Sequence, residues 1–446
     1  MKAMNKATTL LLILVMLIPV GGGAALADSH QIEEATVDTA ALEMRSEIDR
    51  LLSEHGFGTI TLMRKIFNKE PDVEQLKELA NLNSQDLHAG FASVYGEGPA
   101  DEFIALWNEH NALFVEYATA AANNDQQAMQ NAMDKMEQGS HKIATLQAEV
   151  SEGKLPEAAV AEMLITHEQQ VKASFDAYVA GDYETSYAMQ SEAMAYLVNT
   201  MSKTLSTAYA EQFPELYDNS KALTVAGNLR SDLNLLLGEH FAVAGTVMQK
   251  RFQDAPDFEA SLAALNANTG KQAAATTSIY GEEAGNQFAA LWNSHNEYYL
   301  QYVDAVKNNN AEEKEAAVAN LGQFRDEFSQ FMSTATEGIL DADTVSEALQ
   351  MHVDTTLGTF DSFVAGDYAK AWTTAREGYA HMFATAKTTS AAFVQQFPDK
   401  FAGFPAMPET GLGGMAGMFD MNSILWSLPF LIIAALLVFS RRKVLE

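Results

Sequence analysis

The sequence predicts an all-α protein: two tandem copies of one helical bundle, each of about three helical hairpins, followed by a C-terminal transmembrane or sorting segment. Three observations carry this. Long stretches repeat at a fixed offset, apolar residues recur at three and four spacing, and no stretch alternates with the period of two that strands require.

The repeat is the strongest of the three. Leu52-Ser53-Glu54-His55 returns as Leu237-Gly238-Glu239-His240, and Trp107-Asn108-Glu109-His110 returns as Trp292-Asn293-Ser294-His295. Tyr95-Gly96-Glu97 pairs with Tyr280-Gly281-Glu282, and Gly181-Asp182-Tyr183 with Gly366-Asp367-Tyr368, always 185 residues apart. After the Gly-Asp-Tyr the register slips by one, so that Gln212-Phe213-Pro214 answers to Gln396-Phe397-Pro398. A register held over such a length means a shared fold, and each copy is long enough to bury a core. Two domains are expected, at residues 38–216 and 223–401, with a joint around Tyr217–Lys221.

Within each copy a large apolar residue stands three positions before a histidine, three times over. The pairs are Leu52/His55, Trp107/His110 and Leu164/His167, then Leu237/His240, Trp292/His295 and Leu349/His352. The histidines are 55 and then 57 residues apart in both copies. Such a period suits two helices of about 25 residues and a turn.

Local chemistry agrees. Leu42–Phe67 and Phe103–Ala122 are rich in strong helix formers, and Phe103, Leu106, Trp107, His110, Phe114 and Tyr117 fall on one stripe. Asp72 with Gln75 has the form of a capping box, and Asp125 is a second N-cap candidate. Gly181-Asp182 and Gly366-Asp367 each combine a helix-ending glycine with a helix-starting aspartate. The recurring aromatics Trp107/Trp292, Tyr95/Tyr280 and Phe213/Phe397 read as core pegs that both copies need.

The two ends concern location. Lys2 and Lys6 precede a short apolar run, Leu10–Ile18, and Ala25-Leu26-Ala27 supplies the small-x-small pattern of signal-peptidase cleavage, so residues 1–27 read as a signal peptide. Residues 402–423 are rich in proline and glycine and read as a flexible linker. Residues 424–440 form a marginal membrane segment, and 441–446, opening Arg441-Arg442-Lys443, form a basic tail expected on the cytoplasmic side. Between them lies Met407-Pro408-Glu409-Thr410-Gly411. This order of motif, apolar run and cations resembles the LPXTG sorting signal of Gram-positive cell-surface proteins, with Met407 in place of leucine and a long spacer at 412–423. The resemblance implies that sortase cuts between Thr410 and Gly411 and joins the chain to peptidoglycan. The other outcome is a retained membrane anchor. Both place the body of the protein on the extracellular face, anchored to cell wall or membrane.

Composition fits an exterior life. Cysteine is absent, which excludes disulfides, thiolate metal sites and thiol nucleophiles. With 59 carboxylates against 28 lysines and arginines, the net charge of −31 argues against nucleic acid as a partner. No P-loop, nucleophile elbow, dinucleotide fingerprint or paired Glu-x-x-His motif occurs, and His167-Glu168-Gln169-Gln170 opens like a zincin motif but reaches Val171. A non-enzymatic protein is expected, presenting acidic helical domains for adhesion, spacing or interaction, with no cofactor.

The alternative is a surface metal- or haem-binding protein. If the first helices of the three hairpins run parallel, His55, His110 and His167 meet at one level, as do His240, His295 and His352. Three imidazoles suit zinc or copper. His381, next to Met382, is a candidate fourth ligand in the second copy, though Tyr196 stands at its aligned position in the first. Met351 adjoins His352. His30, His88 and His141 have no aligned partner and read as surface residues.

Overall fold

Helix follows helix through the whole of the computed structural model, which describes residues 35–405. The signal peptide with Ala25 and Ala27, His30, the Met407–Gly411 motif, the apolar segment 424–440 and the basic tail lie outside the described residues. Among the described residues no helix is long and apolar enough to cross a membrane.

In the first half α1 (Ala40–Asn68), α2 (Val73–Tyr95), α3 (Glu97–Ala122), α4 (Gln126–Val150) and α5 (Glu157–Val179) are joined by tight turns. A sixth rod begins as α6 (Tyr183–Tyr196), widens into a π turn at Leu197–Ser202 and resumes as α7 (Lys203–Gln212). A 3₁₀ turn at Pro214–Tyr217 leads into the second half. There α8 (Val225–Phe252), α9 (Phe258–Tyr280), α10 (Glu282–Lys307), α11 (Ala311–Ala335) and α12 (Ala342–Val364) recur in the same order. The sixth rod is now the single helix α13 (Tyr368–Gln396), and the short α14 (Pro398–Phe401) ends the described chain.

The turns follow from their residues. The Asp125 carboxylate accepts from the Ala128 N–H, and Asn310 does the same for Glu313 at the matching start. Gly181 and Gly366 take φ of 80° and 76°, a left-handed conformation that ends one helix, and Asp182 and Asp367 cap the next. Asp72 behaves otherwise: it caps nothing through its side chain. Its Oδ2 lies 3.0 Å from Lys65 Nζ and accepts from the Trp372 indole N–H at 3.0 Å. Long-range charge and an aromatic donor outcompete the local N–H groups that a capping box would satisfy.

The one-residue slip has a structural seat. A π turn holds one residue more than the α-helix it interrupts, and it lies in the first half between the Gly-Asp-Tyr and the Gln-Phe-Pro, where the extra residue falls.

Residues 35–405 belong to one compact unit in which the halves pack against each other, α1 along α8, α2 against α13 and α6 against α9. The Leu42 side chain packs directly onto Gly227 of α8, where a Cβ would sit 2.3 Å from Leu42 Cδ2 and force that side chain to shift. Buried polar groups span the contact. The Asp49 carboxylate, fully enclosed, accepts from Ser202 Oγ in the first half and from Ser231 Oγ and Asn234 Nδ2 in the second. Glu54 pairs with Arg376, which also reaches Asp86. The carboxylates among these groups find partners, which limits the cost of burying them, while the Asn234 Oδ1 stays unmatched.

Candidate metal centre

Helices α1, α3 and α5 each carry one histidine at mid-length, and their packing brings the three imidazoles together. Ring centroids of His55, His110 and His167 are 5.4–5.9 Å apart. In the second half α8, α10 and α12 do the same with His240, His295 and His352, at 5.2–6.1 Å. One ring nitrogen from each member of a triad lies within 4.8 Å of the other two. All six rings are buried, none more than 5% exposed.

Aromatic rings wall in both sites. Trp107 packs on His55 and His110 at 4.7 and 5.1 Å, with Phe114 edge-on to His110. Trp292 packs on His240 and His295 at 5.1 and 4.6 Å, and Phe324 stacks on His295. Burial first, and then the neighbouring imidazoles, hold His55, His240 and His295 well below the ordinary histidine range. For the same reasons His167 and His352 fall to about 3. These five rings are therefore neutral at physiological pH, each offering a lone pair.

Their hydrogen bonding is what sets the sites apart from ordinary core histidines. His110 Nδ1 donates to Glu168 Oε1 at 3.2 Å, and that oxygen also accepts from Ser140 Oγ at 2.5 Å. His295 Nδ1 donates to the Trp292 carbonyl at 2.6 Å. Each bond places the proton on Nδ1 and leaves Nε2 as the lone-pair nitrogen, and both Nε2 atoms lack a partner. His55 Nε2 and His167 Nε2 are 3.3 Å apart. Two nitrogens bound to one tetrahedral metal at 2.0–2.1 Å would be separated by about the same distance, ~3.3 Å. In the second triad neither nitrogen of His240 or of His352 has any partner. A neutral imidazole carries one N–H and one acceptor, and leaving both unmatched in a dry interior costs about 1–3 kcal/mol for each group.

No known protein family matches the chain, and no curated protein or solved structure proves similar to it.

Six of the seven histidines singled out in the sequence thus gather in two threes. His381 stands outside: it belongs to neither cluster, and its Nε2 donates to the Ala348 carbonyl at 2.8 Å. Met351 is exposed, whereas Met382 is buried in the core. His88 is partly exposed and bonds Asp101, and His141 is exposed.

Glu168 escaped the sequence reading. It follows His167 directly, but Val353 stands at the aligned position in the second half, so the repeat gave no hint of it. It is 1% exposed, a carboxyl group enclosed beside three imidazoles. A carboxylate on the far nitrogen of a ligating histidine orients the ring and raises its basicity.

Proposed function

We propose that this chain is an exported, surface-anchored protein that binds transition metal in two three-histidine centres, one in each half of its helical unit. The observation that carries the reading is the pair His240 and His352, whose four ring nitrogens are buried without a hydrogen-bond partner. Metal coordination would satisfy one nitrogen of each ring, and the matched Nδ1 bonds of His110 and His295 present their remaining Nε2 atoms for it. Neutral imidazoles without thiolate favour zinc or copper. A bound ion of this kind would act as a Lewis acid or a redox centre. The enclosing aromatic walls favour holding the metal over turning over a large substrate.

The finer reading of architecture belongs with this. The halves are taken as duplicated copies of one six-helix bundle, cleaved from a leader after Ala27 and held at the surface through Met407–Gly411 and the segment 424–440. The support is the constant 185-residue register and the sorting-signal resemblance.

Metal analysis of the full chain, prepared without an affinity tag, tests the function. Two equivalents of zinc or copper per chain are expected, falling to none in the paired variant His110→Ala/His295→Ala. A paired variant that holds metal as well as the parent ends the reading. Mass spectrometry of the mature C-terminus tests the anchoring: a chain ending at Thr410 with a wall peptide supports sortase attachment, and an intact Glu446 replaces it with a membrane anchor.

A further inference from the structure

Both triads are closed to water at the atoms that would bind metal. In His110, His167, His240, His295 and His352, every ring nitrogen without a hydrogen-bond partner is shielded from solvent. His352 borders a cleft in the second half, yet neither of its nitrogens is accessible there. His55 turns its Nε2 toward His167 rather than outward.

The donor set also stops at three. Among the described residues no fourth histidine or carboxylate joins either cluster, and the chain has no cysteine. Glu168 meets His110 at Nδ1, the nitrogen that keeps its proton, so it braces the ring from the far side instead of ligating. The second triad lacks even that carboxylate, since Val353 stands in its place. The other neighbours are aromatic: Trp107 and Phe114 in the first half, Trp292 and Phe324 in the second. Tyr299, edge-on to His295 and His352, is the one oxygen-bearing ring among them, and a phenol is neutral at physiological pH.

A metal in such a place meets three neutral nitrogens, no anionic ligand and no water. Zinc held by three histidines keeps a water in its fourth position, and Cu(II) favours a tetragonal set of donors. The cost of burying an ion grows as the square of its charge, so a divalent ion costs about four times what a monovalent one does. Cu(I) carries a single charge, accepts three nitrogen donors, and is attracted by aromatic faces as other cations are.

We propose that both centres are Cu(I) sites, in which three imidazole nitrogens hold a three-coordinate ion that the closed aromatic walls keep in the reduced state. This rests on the reading of the triads as metal centres and narrows it to one metal in one oxidation state.

The test uses the full chain, untagged and stripped of metal, in the absence of air. Zinc is loaded first, and Cu(I) is then added in equal amount as its acetonitrile complex. After desalting, two equivalents of copper per chain are expected, with the zinc expelled. X-ray absorption should show copper bound by three nitrogens, and no paramagnetic Cu(II) signal should grow when air is admitted. His110→Ala should lose one equivalent and His295→Ala the other, with thermal melts to confirm that each remains folded. The spectra of the parent chain carry the test even where a variant does not fold. Zinc retained against Cu(I), a fourth ligand or sulfur in the copper shell, or a Cu(II) signal growing in air overturns the Cu(I) assignment and leaves the metal centres standing. A chain that binds neither metal ends the metal reading itself, and this assignment with it.

Discussion

Arg45 and Arg230 make the same pair of contacts in opposite directions. Arg45 Nη1 donates to the Ala222 carbonyl and the Asn228 side chain, and Arg230 Nη1 donates to the Val37 carbonyl and Glu43. Ala222 and Asn228 are the 185-residue counterparts of Val37 and Glu43, so the seam between the halves maps onto itself. Tyr187 on Asp257 and Trp372 on Asp72 repeat the relation. This is the residue-i-to-residue-j reciprocity of a two-fold dimer interface, enclosed in one chain.

From that reciprocity follows a stability prediction. Arg45→Met removes a buried donor pair and leaves the Ala222 carbonyl unmatched. It should cost about 2–3 kcal/mol, and Arg230→Met a similar amount. Urea unfolding of the two variants checks this. A loss below about 0.5 kcal/mol in both would mean that the seam does not depend on these contacts.

Metal should stabilise the fold by mass action. At a free zinc concentration a hundredfold above the dissociation constant, each centre adds about 2.7 kcal/mol, seen as a rise in melting temperature. His295→Ala should remove the contribution of the second centre only. A melting temperature indifferent to zinc and copper would contradict it.

The two centres should differ in affinity for a reason visible in the first. Glu168→Gln weakens the carboxylate contact to His110 Nδ1 without touching a ligating nitrogen. The expected loss is roughly 10–100-fold at the first centre, with the second unaffected. Stepwise metal titration of the variant reads this directly.

Acid should loosen the seam at a defined place. Burial alone would push the Glu70 carboxyl up, but Lys65 at 2.6 Å and Lys250 at 3.4 Å outweigh it and hold the group at about 2 against an ordinary 4.5. A depressed carboxyl stabilises the fold above its unfolded value and loses that contribution as pH falls. The term, on the order of 2–3 kcal/mol, is thus present above pH 4.5 and gone by about pH 2. Lys250 belongs to the other half, so Glu70→Gln should flatten the acid limb of the stability curve between these values.

Much of this was legible in the chain, and the failures have physical causes. The helices of both halves announced themselves through apolar spacing and the Gly-Asp turns, because those signals are local. The triads were readable because 55- and 57-residue steps place one histidine on every second helix. Asp72 was misread because a capping box is a four-residue pattern, whereas Trp372, 300 positions away, decides what that carboxylate does. Glu168 was missed because it lacks a counterpart. The reciprocal seam was hidden for a subtler reason: its partners are unlike residues at shifted positions, and aligning the copies pairs like with like.

The π turn at Leu197–Ser202 bears on how far one half can stand in for the other. Its extra residue is present in the first half and missing from the second, so everything after it sits one position out of step. Past that turn Gln212 answers to Gln396 rather than to Phe397, and a substitution carried across at the 185-residue offset lands on the wrong side chain.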